Sequence, residues 1–136
     1  MTRWESILEY VRAAAASAAG MGSAETNAVD PLGQGTVFPA ANVREGNSDI
    51  NLDLSSLGMD EWERELHIDV VTLGGDLEAL RAKINAAVLA DLTLGGLADM
   101  VLFRGVEKDV KFDPSSGAQA MTITYQVSYE LPTGSE

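Results

Sequence analysis

His67 is the only histidine in the chain, and it stands between Glu65 and Asp69, two residues away on either side. Residues two apart on a strand share a face, so the three side chains project together. A Glu, His and Asp set can hold a divalent cation or tune an imidazole. Plain alternation gives the same pattern: Leu66, Ile68 and Val70 turn to a core while Glu65, His67 and Asp69 turn to solvent. The plain reading takes precedence, and neither a metal nor a cofactor is expected. A subunit contact is a third use of such a face.

Other chemistry is thin. There is no cysteine, which removes disulfides, thiolate metal sites and cysteine nucleophiles. The glycine pairs at 74–75 and 95–96 lie outside any phosphate-binding loop pattern. A serine nucleophile needs a base, and only His67 is available. No G-x-S-x-G elbow exists. Carboxylate pairs are numerous because acids are numerous. Trp4, Trp62, Tyr125 and Tyr129 follow core patterns, with Trp62 placed to reach a contact. The chain is expected not to be an enzyme.

The 136 residues suit one domain, spanning 1–131 with a disordered tail at 132–136. A chain of this length buries roughly two thirds of its unfolded surface, so it can fold without a metal. Nine Lys and Arg against 21 Asp and Glu give a net charge of -12. That balance opposes a nucleic-acid clamp, whose affinity comes from neutralising phosphates, and opposes docking on anionic membranes. No run approaches the roughly 20 apolar residues needed to cross a bilayer. The alanine-rich Ala13–Ala19 lacks the apolar stretch of a signal peptide. Expression in the cytoplasm as a soluble chain is expected.

These side chains need elements to place them. Thr2 with Glu5 has capping-box spacing, and Trp4, Ile7, Leu8, Val11, Ala14, Ala15 and Ala18 form one helical face. Residues 20–36 are glycine-rich and predict a mobile loop. Residues 37–44 predict a short strand, with Pro39 at its start or on an edge. Residues 45–60 are polar and predict a second loop, with Ile50, Leu52 and Leu54 a weak extension. Residues 61–73 predict a strong strand. Asp76 caps a helix to about Ala90, with Leu77, Leu80, Ile84, Ala87 and Val88 inward. Residues 92–102 predict a short helical turn leading into a strand. In 103–112, Val106, Val110 and Phe112 point inward and Lys108 marks an edge or bulge. The last strand alternates Met121, Ile123, Tyr125, Val127, Tyr129 and Leu131 with polar residues. The fold class predicted is α+β: about four mainly antiparallel strands with two main helices on one face, in the order α-β-β-α-(short α)-β-β.

Several segments in order resemble the phage tail terminator family, that of lambda minor tail protein U. They are FPAANV at Phe38–Val43, WERELHIDV at Trp62–Val70, DLEAL at Asp76–Leu80, INAAVLADL at Ile84–Leu92, LGGLADMV at Leu94–Val101 and ITYQVSYE at Ile123–Glu130. The loops at 20–36 and 45–60 depart from the family pattern, so contacts made through them do not carry over. The resemblance implies a virion subunit at the head-proximal end of the tail, assembled in the host cytoplasm. It implies a homo-hexameric ring that caps the tail tube protein, ends its polymerisation and offers a surface to the head-side connector, with DNA passing through unbound. Candidate interface residues are Trp62, with Glu65, His67 and Asp69 meeting a neighbour's Arg44, Arg64 or Arg104. A head–tail completion protein of related fold is the nearest alternative. A small metal-dependent enzyme built on Glu65, His67 and Asp69, or a host module binding a protein partner, are more distant ones.

Overall fold

The computed structural model describes residues 2–18, 20–27, 37–50, 58–74, 76–108 and 118–134. Helix α1 (Arg3–Ala16) starts where the capping spacing places it: Thr2 Oγ1 accepts from the Glu5 N–H at 3.1 Å. Trp4, Ile7, Leu8, Val11 and Ala15 are its buried stripe. Helix α2 (Leu77–Val88) is capped in the same way by Asp76, whose carboxylate accepts from Ala79 N–H at 3.1 Å. Its buried residues are Leu77, Leu80, Ile84 and Val88.

The sheet is α+β as expected, but it has five strands and is mixed. The strands are β1 (Ser23–Thr26), β2 (Ala40–Ile50), β3 (Met59–Leu73), β4 (Met100–Lys108) and β5 (Ala118–Pro132). Their order across the sheet is β1-β2-β3-β5-β4. The fifth strand is β1, which lies within the stretch read as a loop and runs parallel to β2, Ser23 opposite Ala40 and Thr26 opposite Val43. Its sequence, SAET, has no apolar alternation to betray it. Gly22 makes the approach possible: a Cβ there would fall 2.7 Å from the Phe38 carbonyl oxygen. Residues 28–36 lie outside the described residues.

The second loop is also shorter than expected. Residues 45–50 belong to β2, Met59 and Asp60 already belong to β3, and residues 51–57 lie outside the described residues. The outer half of β2 is exposed on both sides, so burial leaves no mark on its sequence. Pairing with β3 makes it a strand, with an irregularity between Glu45 and Ser48. No short helix precedes β4; residues 90–97 are turns. Among the described residues the order is therefore α-β-β-β-α-β-β.

β3 and β5 pair along their whole length, from Met59 opposite Pro132 to Leu73 opposite Ala118. Pro132, placed by sequence in the disordered tail, closes this ladder, and Thr133 N–H donates to Gly58 O at 2.9 Å. Even-numbered β3 residues and odd-numbered β5 residues share the face beneath both helices. Leu66, Ile68, Val70, Met121, Ile123, Tyr125, Val127 and Tyr129 join the stripes of α1 and α2 in one core. The opposite face carries no described helix or strand. β4 ends the sheet, as Lys108 suggested, although its irregularity falls earlier, between Phe103 and Gly105. Val106, expected inward, is exposed at this edge; Val110 and Phe112 lie outside the described residues.

Candidate functional site

The bare sheet face holds the candidate trio. Glu65, His67 and Asp69 do share it, yet Asp69 is engaged apart from the other two. Asp69 accepts from Arg44 Nε at 2.6 Å and from Thr122 Oγ1 at 2.7 Å. His67 Nδ1 lies 3.0 Å from Thr124 Oγ1, and its Nε2 lies 3.6 Å from Glu65 Oε2. The imidazole is only 17% exposed. Gly46 closes over it, since a Cβ at that position would meet Nε2 at 2.5 Å. The register explains the pairing: Arg44 stands opposite His67 on one side of β3, Thr124 opposite His67 and Thr122 opposite Asp69 on the other. The trio does not converge on a common point. Reversing the charge at Asp69 would break internal bonds to Arg44 and Thr122 before touching any neighbour.

The other candidates separate. Arg64 lies on the opposite, helix-covered face, in phase with Leu66 and Ile68. Its guanidinium sits 4.4 Å from the Trp4 ring centroid and 5.7 Å from that of Trp62. It donates to Tyr129 Oη at 3.2 Å and pairs with Glu45 at 3.6 Å. Trp62 packs half-buried against the core. The Arg64 guanidinium and Trp62 are therefore engaged on the helix-covered side of the sheet, whereas Glu65, His67 and Asp69 project from the other. Arg104 sits in the irregular turn of β4, exposed at the far edge of the sheet.

A second cluster escaped sequence reasoning. Carboxylate oxygens of Glu61, Asp99 and Glu130 lie within 4.8 Å of one another. Glu61 and Glu130 are direct cross-strand partners, a like-charge placement that is ordinarily unfavourable. Glu61 is buried by its neighbours, although the cluster is close to the surface. Loss of water raises its pKa above 4.5, helped by the charges of Asp99 and Glu130 and by a hydrogen bond with Asp99. Such oxygens are the donors that hard divalent cations take, and a proton on Glu61 relieves the same repulsion. The sequence signal was an acid near the start of β3 and another near the end of β5, which become neighbours only once the antiparallel register is seen.

A group whose pKa is raised on folding binds protons more tightly in the native state. Its effect on stability therefore worsens as pH rises from 4.5 through the raised value, and the penalty is complete above that. Glu61→Gln is expected to raise the thermal midpoint at pH 7 and to leave it nearly unchanged at pH 4. An unchanged or lower midpoint at pH 7 would show that the cluster is relieved by another means.

Among the described residues, no helix is long and apolar enough to cross a membrane. No family model matches the chain, and no curated protein matches it. Among solved structures it is similar to a chain described as "Virion of native gene transfer agent (GTA) particle". The identity is 16% and the TM-score 0.48, with 92% of this chain and 92% of that chain covered.

Proposed function

We propose that this chain is a structural virion subunit that assembles into a ring, in the manner of the phage tail terminators its segments resemble. The ring is a homo-hexamer that sits at the head-proximal end of the tail. It caps the tube protein, ends polymerisation and presents a different surface to the head-side connector. Its role is mechanical rather than catalytic, and it needs no cofactor. The observation that carries the assembly reading is the distribution of exposed apolar side chains. Five of the eight large ones among the described residues, Leu92, Met100, Leu102, Phe103 and Val106, fall on or beside one edge strand. A cluster of this kind, in a chain otherwise rich in charge, marks a protein contact.

The charge of -12 fits a conduit. A lumen rich in carboxylates lets phosphates pass without holding them. The same charge keeps free copies apart, and the repulsion weakens as salt shortens its range. Electron microscopy of the purified protein at high concentration, with sedimentation across salt and magnesium, tests the reading. Six-fold rings with a central hole are expected, favoured by higher salt. A strict monomer under every condition, with no ring on purified tail tubes, would overturn it. Labelling the head-proximal end of the tube separates a terminator from a head–tail completion protein.

A further inference from the structure

We infer that the β4 edge of one copy docks against the uncovered outer half of β2 on the next, joining copies head to tail through a continuous sheet. The inference rests on the ring reading and supplies its contact. Both edges are open among the described residues. β1 pairs only with Ala40–Val43 of β2, so residues 44–50 form a free edge among the described residues. At the other end, Leu92 O accepts from Val101 N–H at 2.9 Å and covers only the start of β4. An open strand edge is a template for another strand.

Charge selects which edge meets which. Most described cations are committed within the chain. Arg12 pairs with Glu9, Arg44 with Asp69, Arg64 with Glu45 and Arg81 with Glu78, while Arg3 donates to Leu97 O. Arg104 and Lys108 on β4 form no ion pair among the described residues. The sheet beside the free half of β2 is acidic: Asp49 and Asn47 of β2, Glu63 and Glu65 of β3 and Gln126 of β5 line a shallow cleft, and Arg64, already held by Trp4 and Glu45, borders it. A second copy thus offers acids where β4 offers cations and apolar side chains. Pairing β4 with β4 across a two-fold axis would instead bring Arg104 and Lys108 near their own images. A contact between two different patches generates rings or filaments, whereas a self-complementary one stops at a dimer.

Two variants test this in the full chain: Arg104→Glu with Lys108→Glu, and Asp49→Lys with Glu65→Lys. Each alone is expected to weaken self-association by at least about tenfold, with an unchanged circular dichroism spectrum. Mixed together, they regain both contacts by alternating: β4 of the cleft variant meets the unaltered cleft of the β4 variant, and the reversed β4 meets the reversed cleft. Sedimentation of the mixture is therefore expected to show assemblies that hold the two variants in equal numbers, where neither variant associates alone. Combining all four changes in one chain reverses both partners and is expected to restore assembly. If the wild type associates while the variants associate equally well, the contact is wrong and the ring reading stands; Arg104 and Lys108 then act as guards against edge pairing. If the variants fail alone and the mixture does not associate either, the head-to-tail pairing is wrong. A wild type that never associates removes the ring reading and this contact together.

Discussion

Trp4→Ala is expected to lower the unfolding free energy by about 3–5 kcal/mol, read from the urea midpoint at constant slope. Trp4 is 4% exposed and holds together three parts of the fold. Its ring stacks on Tyr129 of β5 with centroids 6.3 Å apart and planes 14° from parallel. The Arg64 guanidinium of β3 lies over it at 4.4 Å. Its indole N–H donates to Glu45 Oε2 of β2 at 3.0 Å. The variant loses the ring's burial and leaves a cavity between α1 and the sheet. It also strips Arg64 of an aromatic face. Trp4→Phe separates these contributions: it keeps an aromatic ring in place and drops the donor to Glu45, a hydrogen bond to a charged group worth about 1.5–3 kcal/mol. A loss below about 1.5 kcal/mol in Trp4→Ala would mean that α1 packs against the sheet without this anchor.

The position of Trp4 was legible because a helix that buries one stripe must repeat its apolar residues at helical spacing. The same reasoning placed the core faces of β3 and β5. It failed where a strand is too short or too exposed to show a burial period: β1 is four residues long and only partly buried, and the outer half of β2 is exposed. β1 and the outer half of β2 are held by ladder pairing, and pairing leaves no period in the sequence. Arg64 is a different failure. Its even number put it in phase with Leu66 and Ile68, so alternation already assigned it to the covered face. Offering it as a neighbour's partner for Glu65, His67 and Asp69 followed its charge and ignored its phase. Its aliphatic stem and guanidinium are accommodated there because Trp4, Tyr129 and Glu45 supply an aromatic face, a hydroxyl and a carboxylate.

The candidate trio was legible as a shared face and no further. That Asp69 is occupied by Arg44 and Thr122, 25 and 53 positions away along the chain, depends on register across three strands. The acid cluster of Glu61, Asp99 and Glu130 needs the same information. What the sequence did mark was the edge. Lys108 interrupts the alternation of β4, and a lysine on an apolar strand is a common sign that the strand has only one neighbour. The five-strand order then gives that edge its meaning, because it sets the cationic margin of the sheet far from the acidic one.

Leu94→Ala is expected to cost about 2–5 kcal/mol and to weaken self-association beyond what the lost stability explains. Leu94 is fully buried, yet its backbone sits at φ 50°, a left-handed conformation that costs a side-chain-bearing residue about 1–2 kcal/mol. Its burial and a local frame hold it there. Asp91 accepts from Thr93 N–H and Oγ1 at 2.9 and 2.7 Å and from Gly95 N–H at 3.1 Å. Those bonds draw the Asp91 pKa below its ordinary value, the Thr93 hydroxyl foremost. This knot leads into the edge, since Leu92 O caps Val101 N–H at the start of β4. With the Leu94 side chain gone, the knot loses its hold on the core and the neighbouring Leu92, Met100 and Leu102 lose their fixed spacing. Leu94→Gly is the informative comparison. Glycine relieves that backbone cost of about 1–2 kcal/mol but loses about 0.5–1 kcal/mol by widening the unfolded ensemble, so it should exceed the alanine variant by no more than about 1.5 kcal/mol. A glycine variant that exceeds alanine by more than this would mean that backbone strain, rather than loss of the buried side chain, governs this turn. Association measured at equal folded fraction then decides whether the knot matters to assembly: if the folded Leu94→Ala chain associates as tightly as wild type, the β4 edge does not depend on the turn that precedes it.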